Sequence, residues 1–225
     1  MARTAAFFDV DGTLTSERVW RGVIEYFRRR GLRRWTYRLF WGYHMPLFIL
    51  YKAHLLSQSA FRHPWAAHLA WFLRGYSQEE ANPVWDWVVQ EYLPPYWRAD
   101  ARELLQQHKQ NGDLVVFVSA GPTPLVERIG KELGADLAVG TQPALHDGHY
   151  TGGIEGAVCI DAQKATLARQ ALQQRGLDVD LAASTAYADG ATDVALLEMV
   201  GHPVAFHPDE QLKPIAEGRG WQIIE

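Results

Sequence analysis

The feature that most constrains the fold of this chain is a short apolar run that ends abruptly in charge. Residues 5–8 read Ala-Ala-Phe-Phe, and Asp9-Val10-Asp11-Gly12-Thr13 follows at once. Such a run is typical of a buried strand, and in open α/β sheets ligands bind beyond the carboxyl ends of the strands. Two carboxylates held there repel each other unless a cation lies beside them, so a hard ion such as Mg²⁺ is the natural partner.

The same segment has two plainer interpretations, a solvated turn and a calcium loop. An EF-hand loop needs Gly at its sixth position and Glu at its twelfth, where this chain has Leu14 and Trp20. The calcium loop therefore does not fit. In favour of a ligand site, Gly12 allows a sharp turn and Thr13 adds a hydroxyl donor for an anionic substrate.

Composition narrows the class of protein. With 225 residues, 48% hydrophobic and 21% charged, the chain has the composition of an ordinary soluble protein with one sizeable core and an insertion, or two modest domains. A net charge of -4 argues against a general nucleic-acid binder. The single cysteine, Cys159, forms no internal disulfide, and the apolar stretch before Asp9 is too short for a secretory signal. We expect a cytoplasmic protein.

The chain divides into two regions that differ in their pattern of apolar residues. Residues 16–93 show helical spacing and hold most of the nine tryptophans, and the pair Pro94-Pro95 marks a boundary. From there strands and helices alternate as in a parallel α/β domain. We predict helices over 100–110, 124–133, 163–175 and 193–200, strands over 114–118, 137–139, 184–188, 204–206 and 221–224, and a β-hairpin over 142–155. The predicted domains are a catalytic core of 1–15 and 94–225 and an inserted helical cap of 16–93.

Three further element ends carry polar residues. Ser119 and Ala120 follow an apolar run, so a hydroxyl and backbone amides there are placed to meet a phosphate oxygen. Lys164 opens a predicted helix, and Asp189-Gly190-Ala191-Thr192-Asp193 follows a strand and opens another. Taken singly, these are a helix cap, a solvated lysine, and an N-cap with an acidic first turn.

Taken in order, the four segments resemble the motifs of the haloacid dehalogenase-like hydrolases: DxDGT, a strand-end Ser, a helix-start Lys and a strand-end DGxxD. The resemblance covers essentially the whole chain and is closest to the branch that contains phosphoserine phosphatase. It implies an α/β fold with a doubly wound, mostly parallel Rossmann-like sheet. It also implies an inserted helical cap and a small β-hairpin flap.

The resemblance implies a Mg²⁺-dependent phosphatase that acts through an aspartyl-phosphate. Asp9 would be the nucleophile. Asp11 would protonate the leaving group and then deprotonate water, and its backbone carbonyl would bind Mg²⁺ together with Asp9 and Asp189. Asp193 would support the water shell of the metal or Lys164, which balances the charge of Asp9 and the phosphate.

The phosphoryl oxygens would be held by the hydroxyls of Thr13 and Ser119, with Ala120 and Lys164 completing the phosphate site. The glycines of the first and last motifs, Gly12 and Gly190, would support the loops that carry the carboxylates. A small phosphorylated molecule is the implied partner. A non-catalytic binding protein that retains the fold is the remote alternative.

The substrate is the open point. Phosphoserine phosphatases of this branch carry Glu nine residues after the nucleophile, and two glycines and Phe after the serine of the second motif. Here those positions hold Arg18 and Ala120-Gly121-Pro122. Both departures argue against phosphoserine, although phosphoserine phosphatase remains the alternative.

One segment of the predicted cap has two possible interpretations. Six arginines between residues 28 and 38 precede an apolar run of 13 residues, 39–51, that is too short to span a bilayer. The segment is either a cap helix that packs its own core, or a peripheral contact with a membrane interface. The second reading would make a phospholipid headgroup phosphate, such as phosphatidylglycerophosphate, a reasonable substrate.

Overall fold

A parallel sheet of six strands is the centre of the molecule. The computed structural model describes residues 3–225. The strands are β1 Ala5–Asp9, β2 Leu114–Pro122, β3 Leu137–Thr141, β4 Pro143–His146, β5 His149–Ile154, β6 Thr185–Ala188, β7 His202–Phe206 and β8 Gln222–Ile224. The main sheet has the order β3-β2-β1-β6-β7-β8 with every neighbouring pair parallel. The predicted fold class is confirmed.

Nine α-helices accompany the strands in residues 3–225. They are α1 Val19–Arg29, α2 Arg34–Lys52, α3 Gln58–His68, α4 Gln78–Trp87, α5 Ala99–Asn111, α6 Thr123–Leu133, α7 Ala162–Gln174, α8 Val194–Leu197 and α9 Leu212–Arg219. The helix predicted over 193–200 is shorter than expected: a 3₁₀ turn at Ala191–Asp193 precedes α8. None of the helices in residues 3–225 combines the length and the apolar character needed to cross a membrane.

Helices cover both faces of the sheet. Alternate side chains of a strand point to opposite faces, and β1 follows this rule. Ala6 and Phe8 join a hydrophobic cluster with residues of α5 and α6, whereas Ala5 and Phe7 join a second cluster with residues of α7, α8 and α9. Both faces of β1 are therefore shielded from solvent, which explains why its sequence is continuously apolar rather than alternating.

The segment between β1 and β2 contains α1 to α4 and is rich in packed aromatic rings. Trp65 packs edge-on against Trp20 and Phe40 with ring centroids 4.8 and 5.0 Å apart, and Phe40 also lies 5.5 Å from Phe72. Phe40 and Phe72 belong to the same cluster as Phe8 of β1. The cap segment and one face of the sheet thus share a continuous hydrophobic core. The division into domains at residues 15/16 and 93/94 remains a prediction.

The predicted β-hairpin is formed by β4 and β5. Asp147 and Gly148 at its turn both have positive φ, 48° and 77°, as a tight two-residue hairpin turn requires. The hairpin contacts the cap segment, because Gly75 N–H donates to the Tyr150 carbonyl at 2.7 Å and Tyr150 N–H donates to the Tyr76 carbonyl at 2.8 Å. The strand β5 therefore links the core to the cap.

Candidate active site

The carboxyl ends of three neighbouring strands bring the motif residues together. Asp9 is the last residue of β1, which lies between β2 and β6. Asp9 is in register with Val118 of β2, so Ser119 comes one residue further along. Phe8 is in register with Tyr187 of β6, so Asp189 follows just beyond that strand. Parallel pairing alone places these three side chains at one edge of the sheet.

A buried ammonium group stands beside the Asp9 carboxylate. Lys164, in the first turn of α7, places Nζ 2.5 Å from Asp9 Oδ1 and also donates to Asp193 Oδ1. All three side chains are buried. Burial lowers the pKa of Lys164, but the charges of Asp193 and Asp9 outweigh it and hold the pKa above its ordinary value. Lys164 is therefore a fixed positive charge rather than a proton carrier.

Three carboxylates crowd this edge of the sheet. Oxygen atoms of Asp9, Asp189 and Asp193 lie within 4.8 Å of one another. Burial, followed by the charge of Asp9, raises the pKa of Asp189 to about 8. Gly12, with φ +105°, allows this crowding, because a Cβ at residue 12 would lie 1.9 Å from Asp189 Oδ2. Any side chain at that position would displace the Asp189 carboxylate.

Asp11 faces the cap rather than the carboxylate cluster. Its Oδ1 accepts a hydrogen bond from the Val19 N–H, at the start of α1, at 2.5 Å. Burial and the charge of Asp9 raise the pKa of Asp11 to about 6. The backbone carbonyl of Asp11 accepts a hydrogen bond from Arg18, whose other terminal nitrogen lies 3.6 Å from Asp189 Oδ2. The carbonyl and the Asp189 carboxylate thus share one cationic neighbour.

The hydroxyls and the small residues of the motifs line the same region. Thr13 Oγ1 lies 3.4 Å from Asp9 Oδ2, and Ser119 Oγ accepts from the Gly121 N–H at 3.0 Å. The Gly190 carbonyl accepts from the Asp193 N–H at 2.9 Å and closes the loop after β6. Every residue that the sequence singles out for the site therefore lies at this edge of the sheet.

A cavity of about 450 Å³ connects the carboxylates to the cap segment. Its floor includes Asp9, Asp11, Ala120, Lys164 and Asp189. Side chains of α1, α2 and α3 form the opposite wall, and most of them are aromatic or apolar: Trp20, Trp41, Met45, Phe48, Phe61 and Trp65. The space beside the carboxylates can accept a group with apolar bulk.

Sequence reasoning missed three residues that border the site. Arg62 of α3 lines the cavity and donates to Thr192 Oγ1 at 3.1 Å, so it links cap and core. Asp209 lines the cavity, and its N–H donates to the Asp189 carbonyl at 2.7 Å. Arg98 Nε donates to the Gly12 carbonyl at 2.9 Å. No motif marks these residues, because only the folded chain brings them to the strand ends.

The comparison with family models agrees with this geometry. Residues 6–198 match the haloacid dehalogenase-like hydrolase family. That range runs from β1 to the helix after the last motif, so it includes every residue assigned to the site above.

Relatives of known name match over nearly the whole chain. The "Inhibition of morphological differentiation protein" of Streptomyces azureus is 32% identical and aligns with 100% of this chain and 79% of its own length. The phosphoserine phosphatase SerB1 of Mycobacterium tuberculosis is 33% identical over 97% of this chain and 70% of its own length. A protein of unknown function from Bordetella pertussis has a solved structure with a TM-score of 0.85 and 27% identity, covering 100% of this chain and 99% of that one.

Proposed function

Because the chain belongs to the haloacid dehalogenase-like hydrolase family, we propose that Asp9 is the nucleophile with which this phosphatase cleaves a phosphomonoester. The observation that carries the proposal is the buried Asp9 carboxylate with Lys164 Nζ 2.5 Å away, at the carboxyl end of β1. An ammonium group there offsets the repulsion between a carboxylate and a phosphate. The paired charges and the named phosphatase among the relatives favour catalysis over a non-catalytic role on this fold.

Asp11 is the proposed acid and base. A bond forms between an Asp9 oxygen and phosphorus while the bond from phosphorus to the ester oxygen breaks, and Asp11 donates its proton to that oxygen. Asp11 then takes a proton from the water that attacks the aspartyl-phosphate, which releases inorganic phosphate and restores Asp9. Burial and the charge of Asp9 raise the pKa of Asp11 to about 6, so this carboxyl exchanges its proton close to neutral pH.

The phosphoryl oxygens have four proposed partners. Lys164 contributes charge, Thr13 and Ser119 contribute hydroxyls, and Ala120 contributes its backbone amide at the end of β2. Because the Ser119 oxygen accepts from the Gly121 N–H, its own hydrogen remains to be donated to a phosphate oxygen. Donors fixed in this way stabilise charge without having to reorganise during the reaction.

Mg²⁺ is the proposed cofactor. The carboxylates of Asp9 and Asp189 and the backbone carbonyl of Asp11 would hold it, and Asp193 would support its water ligands and Lys164. The donor set fits, because it consists of oxygen atoms only and because buried carboxylates within 4.8 Å of one another call for positive charge. When bound, Mg²⁺ supplies charge that neutralises the phosphoryl group.

Metal removal tests this assignment. Hydrolysis of an aryl phosphate should fall to background in excess chelator and return when Mg²⁺ is added. Full activity in excess chelator would contradict the assignment.

Thermal unfolding supplies a second readout of the metal site. Because the pKa of Asp189 is raised to about 8, the metal-free folded protein binds protons that the unfolded chain has already lost. The contribution of Asp189 to stability should therefore fall as pH rises from about 4 to about 8, and Mg²⁺ should raise the melting temperature more at pH 8 than at pH 5. Asp189→Asn should remove that Mg²⁺-dependent shift, whereas Asp178→Asn on the surface should keep it.

For the leaving group we propose apolar bulk rather than serine. The cap wall of the cavity is built from aromatic and apolar side chains, which gain free energy by burying apolar area. Arg18 stands nine residues after Asp9 and lines the cavity, where it would repel the ammonium of phosphoserine. A small phosphorylated metabolite with such a group and a phospholipid headgroup phosphate both satisfy this description.

A substrate panel separates these choices. We expect phenyl phosphate or a short-chain phosphatidylglycerophosphate to show a higher kcat/KM than phosphoserine. The 33% identity to a phosphoserine phosphatase keeps phosphoserine as the alternative. A kcat/KM for phosphoserine clearly above that of every other ester would establish that alternative instead.

We also propose that the protein acts in the cytoplasm. Its one cysteine, Cys159, is buried, and burial raises the pKa of its thiol to about 12. A buried thiol of this kind is unreactive and makes no use of an oxidising compartment. Cell fractionation followed by immunodetection measures this directly, and recovery from an extracytoplasmic fraction would contradict it.

A further inference from the structure

Helix α2 leaves a broad apolar face open to solvent. Of its 19 residues only Phe40 and His44 are buried. Trp35, Leu39 and Ile49 are 74%, 65% and 60% exposed, which is unusual for side chains of this size. Four further apolar residues of the helix are also exposed: Tyr43, Met45, Phe48 and Leu50.

The three most exposed residues, Trp35, Leu39 and Ile49, form one stripe along the helix, with Gly42 and Pro46 between them. Residues 35, 39, 42, 46 and 49 follow one another at steps of four and three, so they lie on one side of a helix with 3.6 residues per turn. The stripe extends about 21 Å, at 1.5 Å per residue. The buried residues Phe40 and His44, four apart, face the aromatic cluster of the cap. Trp35, Leu39 and Ile49 belong to neither hydrophobic cluster within residues 3–225. Tyr43 and Phe48, at the flanks of the stripe, still pack against the rings of His68 and Phe61.

The part of the sequence that contains the stripe carries positive charge and no negative charge. Residues 26–78 contain eight arginines, one lysine and no Asp or Glu, in a chain whose net charge is -4. Arg28 and Arg29 pair with Glu25. Arg34, Arg38 and Lys52 of α2 form no ion pair within residues 3–225, where the ion pairs involve other residues. We call the exposed apolar stripe and these three cations the α2 face.

We propose that the α2 face docks on an anionic lipid surface. A helix with one polar edge and one apolar face lies in the plane of the membrane interface, and interfacial Trp and Tyr residues favour the headgroup region. Each Lys or Arg near an anionic surface adds to the attraction. Arg38 lies over the Trp35 ring at 5.0 Å, so an aromatic anchor and a cation occupy the same end of the face.

Charge favours lipid over a second copy of the chain as the occupant. In a two-fold dimer through this face, the three cations of one copy would meet the same cations of the other, with no carboxylate on α2 to neutralise them. An anionic bilayer supplies negative charge for the three cations and an apolar phase for the stripe.

The α2 face also borders the cavity. Met45 and Phe48 are exposed and at the same time line the cavity that leads to Asp9. A phosphomonoester held in a lipid surface would therefore reach Asp9 beside the helix that touches the surface. This consequence for the substrate rests on the proposed function, whereas the docking itself does not.

Vesicle flotation tests the docking without any assay of catalysis. The protein should float with vesicles of phosphatidylcholine and phosphatidylglycerol in equal parts, and not with vesicles of phosphatidylcholine alone. Because the charges are exposed, binding should weaken when salt is raised to 1 M, where the Debye length falls to about 3 Å. Hydrolysis of a soluble aryl phosphate, followed in parallel, reports on the proposed function separately.

Paired variants locate the surface. The double variant R34Q/R38Q should weaken binding about 30-fold, since each cation near an anionic surface contributes about a factor of five. The control R102Q/R169Q removes the same charge from exposed positions of α5 and α7 and should bind like the wild type. The variant L39E/I49E should abolish flotation, and all these variants should retain hydrolysis of the aryl phosphate.

Three results would overturn the proposal. They are no flotation of the wild type with anionic vesicles, equal weakening by R34Q/R38Q and its control, and flotation of L39E/I49E like the wild type. Light scattering would show a stable dimer that L39E/I49E converts to a monomer if a second copy covers the face instead. That result without vesicle binding also counts against a lipid surface.

Discussion

The two walls of the cavity differ in the side chains that form them. On the sheet side, buried charged groups form ion pairs: Lys164 lies between Asp9 and Asp193. On the cap side, aromatic rings pack against one another, and the buried nitrogens Trp41 Nε1, His44 Nδ1 and Trp65 Nε1 have no hydrogen-bond partner within residues 3–225. The sheet wall is therefore suited to hold and transfer charge. The cap wall contains Arg18, Arg21 and Arg62 but consists mainly of aromatic and apolar side chains, so it is suited to receive apolar bulk.

Burial shifts pKa values in opposite directions on the core side and the cap side of the cavity. It raises the pKa of Asp189 to about 8 in the core and lowers the pKa of His44 to about 4 in the cap. Both shifts disfavour a charge in an apolar environment. At the carboxylates, opposite charge comes from Lys164 of the core and from Arg18 at the start of the cap segment, and the cluster of carboxylates offers a place for a metal.

Removal of the nucleophile should have the largest effect. Asp9→Asn should lower turnover more than about 100-fold on every substrate, a loss of more than about 2.7 kcal/mol, because an amide cannot accept the phosphoryl group. Lys164 retains Asp193 as its partner, so the melting temperature should report a folded protein. Asp178→Asn is the matched control and should turn over like the wild type. Retention of more than about a hundredth of the activity would refute the role of Asp9.

On the cap side, the buried imidazole of His44 should affect the stability of the protein in acid. Because the pKa of His44 falls from 6.5 to about 4 on folding, the unfolded chain binds a proton that the folded protein does not. The contribution of His44 to stability should therefore decrease as pH falls from 7 to 5, so His44→Leu should gain about 2 kcal/mol relative to the wild type over that range in urea unfolding. His146→Leu, at an exposed position of the hairpin, should leave the pH dependence unchanged. An unchanged pH dependence in His44→Leu would count against this account.

A smaller effect should distinguish the two walls by substrate. Phe48→Ala removes apolar area from the cap wall, so kcat/KM for an ester with an apolar leaving group should fall about tenfold, or about 1.4 kcal/mol. Hydrolysis of a small polar ester should hardly change, because Phe48 lies on the wall opposite the carboxylates. Phe48→Leu should restore most of the loss. Equal losses on both esters would show that the cap wall does not select the leaving group.

Much of the core was predictable because its signals are local. A continuous apolar run predicts a strand covered on both faces, and the registers of β1 with β2 and β6 then bring Asp9, Ser119 and Asp189 together. The hairpin turn at Asp147-Gly148 was equally readable, since few dipeptides accept two positive φ angles. The helix after Asp193 was predicted too long, because the periodic apolar residues continue past the point where α8 ends at Leu197.

The cap was less predictable because its partners are distant in sequence. Helical spacing predicted a helical cap over residues 16–93. The same spacing fits a helix that is buried on one side and a helix that exposes its apolar residues to solvent. The pairing of Arg62 with Thr192, 130 residues apart, has no sequence signal at all.

The residues that carry the reaction can be read from the sequence, whereas the surroundings of the site follow from the packing of the folded chain. Charged and small residues at strand ends are specified by local patterns, because strand ends meet wherever a parallel sheet forms. The wall of the cavity, the neighbours of Arg18 and the open side of α2 depend on how the cap packs over the sheet. That packing is a sum of many weak, non-directional apolar contacts, so no short motif encodes it.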